Sequence, residues 1–567
     1  MARPIPLGID DFRQLREQGL EYVDKSDLIQ KVLDKGAQSI LLPRPRRFGK
    51  TLNLSMLRAF FEKRPEDLGG LFSDLAIWSA GPTYREHFQR YPVIHLTFKG
   101  VKLDTFERSW DAIRNKLAAL YEEHRYLLDG GALSPQEAAR FEEIRGAAGS
   151  MATSSNVLLD LSRYLHRHHG QPVVILIDEY DEPIHAGHTH GYSDQVLQFF
   201  RAFLTEGLKG NPHLFKAVLT GILRIAKESI FSGLNNLAVY SLLRPDFATC
   251  FGFTEPEVQA LLERASRRDQ LGTVRSWYNG YVFGGAVVYN PWSILSYLDS
   301  PETAPRSFWV ATSSNDLIRD ALVRHSLEAE REIETLLQGG SIERDLDENV
   351  ALSRIDEDPD ALWSLLTFSG YLKAEALPPE PGEKILYRLS IPNKEVREVY
   401  TGTFRRWMAD RMRGHGGSLK RLTTALLSGD PDALEEELQA FTRNLLSYHD
   451  TALRPEQVYH AFVIGLLASL EPEYEVRSNR ESGSGRPDVL VRPRRSGKPG
   501  AVLEMKVARP GKKTPEQALE EGLAQLATGD YTAELVAAGA SPVHAFAVAF
   551  DGKRVQVRCP PGPVTAS

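Results

Sequence analysis

Asp488, Glu504 and Lys506 are three residues whose types and spacing could do chemistry. Asp488 opens the apolar run Val489-Leu490-Val491, and Glu504-Met505-Lys506 lies inside the next one, Val502 to Val507. Side chains alternate across a strand, so Glu504 and Lys506 project from one face, and Asp488 can meet them from the neighbouring strand. Two carboxylates beside a lysine suit a divalent cation that polarises a phosphodiester and activates water. The plainer alternative is surface strands with solvated charges. Against it, a charged pair flanked by Ala501-Val502-Leu503 and Val507 is costly to bury unless it serves a site.

A second group lies near the N-terminus: Arg44-Pro45-Arg46-Arg47-Phe48-Gly49-Lys50-Thr51. A P-loop wraps backbone N–H groups round phosphate oxygens, adds a lysine charge, and offers a Ser or Thr hydroxyl to magnesium. Lys50 and Thr51 take the last two roles. Arg44 replaces the usual first glycine, so the match to the motif is imperfect. The apolar run Val173 to Ile177 ends in Asp178-Glu179. Asp178 would hold magnesium through water, and Glu179 would orient or deprotonate an attacking water. The alternative is an ordinary strand ending in solvated acids.

The elements that must position these groups follow from pattern. Ser39–Leu42 reads as a strand, and Leu52, Leu54, Met56, Leu57, Phe60 and Phe61 as a helix, which gives the strand–loop–helix context of a P-loop. Val93–Phe98 and Phe215–Thr220 read as further strands. The Val173 run does not alternate, as expected of a strand buried on both faces of a parallel sheet. Strands alternating with helices predict an α/β, doubly wound P-loop core. At 567 residues the chain is too long for one core. We expect an ATPase-like domain over 1–250, a helical lid over 251–305, a helical or winged-helix-like middle region over 306–447, and a C-terminal α/β restriction-endonuclease-like domain over 448–567. The last contains strands, a helix near 515–528 and a final strand pair.

Composition excludes little. A net charge of -7 gives no global sign of nucleic-acid affinity, which needs only a local basic surface. Two cysteines rule out a disulfide framework. The N-terminus has no apolar signal-peptide core, and no run reaches the roughly 18–20 apolar residues that cross a bilayer. The expectation is a cytoplasmic protein without a membrane partner.

The stretches GIDDFRQL, YVDKSDLIQKVL, LLPRPRRFGKTLNLSMLRAFF, VVILIDEYDEPI, LTGILRIAKESIFSGLNN and SWYNGYVF with YNPWSIL resemble the AAA-ATPase-like family of prokaryotic proteins, relatives of the archaeal and signalling (STAND-type) ATPases. The resemblance spans roughly residues 5 to 300 and makes Arg44 a variant of that family. It implies ATP and Mg2+ as cofactors, Tyr22 and Asp24 near the nucleotide base, and Thr220 and Arg224 as a sensor. Arg46 and Arg47 either contact phosphate or pair with acids and solvent. The text YHAFVIGLLASL, YEVRSNRESGSGRPDVLV and AVLEMKV resembles the PD-(D/E)XK nuclease superfamily over about 456 to 565. It implies Asp488 and Glu504 as metal ligands for Mg2+ or Mn2+, and Lys506 as a group that stabilises the transition state or positions water. It also implies Gln525 as a helical site residue and Glu456 as a further acid. The arginines of the loop Ser478 to Arg486 could track a phosphate backbone.

Together these predict an ATP-binding, hydrolysing protein that gates a metal-dependent nuclease acting on nucleic acid. DNA is favoured over RNA, the setting is defence or mobile-element biology, and a homo-oligomer is compatible. The alternative is a non-cleaving, nucleotide-dependent switch or scaffold. The histidines of HAGHTH (His185, His188, His190) and HRHHG (His166, His168, His169) lack metal-ligand spacing and read as solvated loop residues. Trp277 to Tyr281 reads as lid packing, and the acidic stretch 343–360 as a solvated face.

Overall fold

A computed structural model describes residues 3–129, 131, 133–224, 236–301, 304–309, 332–333, 335–337, 339–349, 358–378, 384–400, 416–445, 459, 462–463, 466–467, 470, 473–478, 487–508, 513–528, 532–552 and 554–560. The chain parts into two compact units. One comprises 1–325 with 341–397, the other 326–340 with 398–567. The expected middle region, 306–447, is thus shared between them.

The first unit is built on a parallel sheet of β1 (Ser39–Pro43), β2 (Val93–Thr97), β3 (Val173–Asp178), β4 (Leu214–Gly221) and β5 (Leu237–Val239). The spatial order is β2-β3-β4-β1-β5. Every residue of β1 and β3 is buried, which explains why their sequences show no polar alternation. β4 lies between β1 and β3, with Leu42 opposite Thr220 and Ile177 opposite Leu219. The carboxyl ends of β1, β3 and β4 therefore converge, and crevices at such ends are where open α/β sheets take ligands.

The stretch expected as a helical lid also carries a small sheet, β6 (Phe253–Thr254), β7 (Tyr281–Phe283) and β8 (Ala286–Tyr289), in the order β6-β8-β7. Helices Glu255–Arg264, Leu271–Tyr278 and Pro291–Asp299 accompany it. Tyr278 and Tyr281 are buried, so this aromatic stretch is packing, as expected. The first of these helices starts at Thr254, whose backbone N–H donates to Glu257 Oε2 at 2.6 Å. Residues 341–397 contribute β9 (Ile342–Asp345), β10 (Lys373–Ala376) and β11 (Leu386–Ser390), in the order β10-β11-β9, with the helix Pro359–Phe368. The acidic stretch thus opens on β9, and its residues 350–357 lie outside the described residues.

The second unit holds a mixed sheet of β12 (Tyr474–Ser478), β13 (Val489–Pro493), β14 (Gly500–Val507), β15 (Val543–Asp551) and β16 (Arg554–Arg558), in chain order. Only β14 and β15 pair in parallel. Parallel neighbours need a crossover, and the helix Pro515–Thr528 supplies it. It buries Ala518, Leu519 and Leu526 against Val502, Ala545 and Ala547. The small residues of β15 let it approach closely: a Cβ at Gly522 would lie 3.2 Å from Ala547 Cβ. Helices Gly416–Ser428 and Pro431–Leu445 belong to this unit. Among the described residues, no helix is long and apolar enough to cross a membrane.

Candidate functional site

The first group of residues gathers where β1 ends. Gly49 (φ 82) and Arg47 (φ 67) both adopt left-handed backbone, and Gly49 caps the helix Lys50–Phe61. Left-handed backbone costs a non-glycine residue energy and concentrates at functional sites, so Arg47 is informative. A loop of this kind running into a helix N-terminus presents backbone N–H groups to an anion. Lys50 is buried, and its Nζ donates to the carbonyls of Arg44 and Pro45, each at 3.0 Å. Burial drives its pKa down, against the pull of Glu179, Asp178 and Asp181. Thr51 Oγ1 donates to Asp178 Oδ2 at 2.6 Å, and Thr220 Oγ1 donates to Asp178 Oδ1. The ends of β3 and β4 and the first turn of the helix after the loop thus meet on one buried carboxylate.

Glu179 follows with φ 51. Burial first, and then its hydrogen bond and charge repulsion with Glu182, push its carboxyl up to about 8. A carboxyl titrating near neutrality is suited to take a proton from water. Asp181 accepts from Ile222 N (2.7 Å) and Leu223 N (3.1 Å) and so fixes the turn that follows Thr220. Arg224 comes next, and 225–235 lie outside the described residues.

Arg44 enters the loop through its backbone alone. Its guanidinium is fully buried, donates to Tyr240 O (2.7 Å) and Phe247 O (3.3 Å), and stacks over Phe251 and Phe283. Burial lowers its pKa to about 10. Phe48 packs on Tyr281 and Phe283. Arg47 stacks on Trp292 at 4.0 Å. Beside Gly49 and Leu52 an apolar cleft is lined by Tyr22, Val23, Phe253, Pro291 and Leu295. Tyr22 therefore stands by the loop. Asp24 does not line that cleft, because its carboxylate accepts from Ser26 N (2.8 Å) and Ala76 N (2.7 Å).

The second group lies in the other unit. Glu504 and Lys506 share a face of β14, with Nζ 2.7 Å from Oε1. Glu504 is 4% exposed, and its Oε2 is buried without a hydrogen-bond partner. Asp488, just before β13, reaches across to accept from Met505 N at 2.8 Å. Burial and the charge of Asp488 raise the Glu504 pKa despite Lys506. Burial pushes Lys506 down, but Glu504 more than offsets it, so the ammonium is the firmer charge of the pair. The helix Pro515–Thr528 packs on this strand at Gly522, where a Cβ would lie 3.6 Å from Lys506 Cγ. Gln525, half-buried, is one turn further along. Glu456 and residues 479–486 lie outside the described residues.

Residues 6–231 match the family described as Predicted AAA-ATPase, and residues 454–559 match the PD-(D/E)XK nuclease superfamily. The chain joins an AAA-ATPase-like domain to a PD-(D/E)XK nuclease-superfamily domain. It is also similar to an uncharacterized protein in the vnfD 5' region of Azotobacter chroococcum mcd 1. The identity is 28% over 499 residues, covering 86% of this chain and 87% of the relative.

Around the ATPase-like site the structure adds residues that the sequence did not single out. Lys25 is buried and donates to both oxygens of Glu257 at 2.7 Å and to Thr249 O at 2.9 Å. Asn290 caps the helix that carries Trp292. The signal for it was present, since Asn-Pro at a helix start is a cap followed by a first-turn proline. The histidine groups lie on helices rather than loops: His185, His188 and His190 on Glu182–His190, and the others on Val157–His169. Left-handed Gly191 and Gly170, which end those helices, were the readable signal. Among the described residues no three His, Cys, Asp or Glu side chains form a metal-holding group.

Proposed function

We propose that the chain binds and hydrolyses Mg-ATP at the ATPase-like site, and that this controls metal-dependent cleavage of nucleic acid at the nuclease-like site. The observation that carries the cleavage reading is Glu504: a carboxylate within a core strand, salt-bridged on one oxygen, with the other oxygen buried and unpartnered. An orphaned anionic oxygen beside Asp488 fits a divalent cation, which supplies charge to polarise the phosphodiester and to lower the pKa of water. Magnesium is commonly held by one or two carboxylates with waters and phosphate oxygens, so two acids suffice. Lys506 would steady the charge that develops on the phosphate, and Gln525 would orient what enters from the helix side. DNA is the favoured substrate.

At the other site the donor set suits a triphosphate. Backbone N–H groups and Lys50 would take phosphate oxygens, and Arg46 and Arg47 add charge. Thr51 and Asp178 offer the hydroxyl and carboxylate oxygens for magnesium, and Glu179 would accept the proton of the attacking water. The apolar cleft at Tyr22 would take the base.

The second reading is a switch or scaffold that binds nucleic acid or a protein without cutting. It is favoured by the ion pair of Lys506 with Glu504 Oε1, which already neutralises a carboxylate that a metal would need. One assay separates the two. Purified protein is incubated with plasmid, linear DNA and RNA, with Mg2+ or Mn2+. Cleavage that disappears in Glu504→Ala supports the enzyme, and binding without cleavage supports the scaffold.

A further inference from the structure

Three successive loop residues are each gripped by a different part of the first unit. Arg44 and Pro45 hold Lys50 through their carbonyls. Pro45 also packs on the backbone of Gly370 (φ 87), where a Cβ would lie 3.0 Å from Pro45 Cβ. The Arg46 carbonyl accepts from the indole Nε1 of Trp309 at 3.3 Å, and from Asn290 Nδ2 at 3.5 Å. Behind them lies Glu395, with 0% exposure. Its Oε1 accepts from Phe308 N and Trp309 N, and its Oε2 from Ser293 Oγ, all at 2.7 Å. Ser293 is on the helix that Asn290 caps. One buried carboxylate therefore fixes both groups that reach the Arg46 carbonyl.

Lys50 has three donor protons, and two are taken by the loop's own carbonyls. A phosphate can claim them only if residues 44 and 45 give them up, and residues 45 and 46 are pinned from outside. We propose that Glu395, acting through Trp309 and Ser293, is a positioning residue whose grip holds the loop closed on Lys50 and so restrains triphosphate binding. The inference rests on the nucleotide reading of this site. Coupling is reciprocal, so a bound triphosphate loosens the hold on Glu395 by the same factor. Glu395 stands just before the point, Glu398, where the chain passes to the second unit, which makes it a place for nucleotide state to leave the ATPase-like domain.

The test is calorimetric titration of the full chain with Mg2+ and a non-hydrolysable ATP analogue. Trp309→Phe deletes the indole N–H and keeps a ring against Tyr371, now 4.9 Å away. Loss of one restraining hydrogen bond predicts about 5-fold tighter binding. Ser293→Ala carries the same expectation should Trp309→Phe not fold. Glu395→Gln can still accept both amides and reach Ser293, and stays near the parent. Tightening is a result that a merely structural role would not produce, since damaged packing weakens binding. Unchanged or weaker binding in Trp309→Phe, with the parent binding normally, overturns the clasp alone. A parent that binds no analogue overturns the nucleotide reading and the clasp with it.

Discussion

Thr51 and Asp178, 127 positions apart in the chain, are joined by a 2.6 Å hydrogen bond from hydroxyl to carboxylate. The pairing exists because β1 and β3 both flank β4, which brings their ends and Thr220 to one place. Hydrogen bonds to charged groups contribute about 1.5–3 kcal/mol each. Lys50→Ala is therefore expected to weaken Mg-ATP binding by roughly 10–100-fold. Asp178→Asn should weaken binding in Mg2+ far more than in EDTA. Titration with a fluorescent ATP analogue in both conditions checks this, and equal losses would speak against a magnesium role for Asp178.

Glu179 gives a pH signature. Its folded pKa of about 8 lies above the ordinary 4.5. As a base it must be ionised, so kcat/KM for hydrolysis should rise with pH and level off above about 8. Glu179→Gln should lower hydrolysis by about 10²–10⁴-fold while keeping nucleotide binding. Stability follows the opposite trend. Between 4.5 and about 8 the folded protein binds more protons here than the unfolded chain, so this group's contribution, full below 4.5, is lost as pH rises. Urea melts across that window should show a shallower decline in Glu179→Gln than in the parent.

The helix Pro431–Leu445 does something specific for the nuclease-like sheet. Glu435 Oε2 accepts from Val557 N at 2.8 Å, and Gln439 Oε1 accepts from Val555 N at 3.0 Å. One turn of helix matches two residues of strand, so adjacent turns satisfy the outward N–H groups of edge strand β16. Unpaired edges are templates for aggregation. Removing both groups in Glu435→Ala with Gln439→Ala should cost about 1–3 kcal/mol. The midpoint should drop by a few degrees on heating, with more light scattering. An unchanged melt would show that water replaces both side chains.

Much of this was legible because the signals are local. The unbroken apolar run of β3, the strand–loop–helix around Lys50, the shared face of Glu504 and Lys506, and the helix over 515–528 each rest on short-range pattern. What escaped reading depends on distant chain. Strands of two to four residues, such as β6 to β8, are too short to show alternation. Arg44 reads as a loop position in place of the first P-loop glycine, and nothing local shows that a burial site made by residues 240–251 draws its guanidinium inward. Trp309 and Glu395 carry no motif, and only the fold brings them together behind the loop.

Control of one site by the other is read from the rate of nucleic-acid cleavage in Mg2+ or Mn2+, with and without ATP, for the parent, Lys50→Ala and Lys506→Ala. The parent should cleave at a rate that depends on ATP. Lys50→Ala should keep cleavage and lose the dependence, and Lys506→Ala should lose cleavage at any ATP concentration. Cleavage that survives Lys506→Ala, or a parent rate indifferent to ATP, contradicts the proposed function.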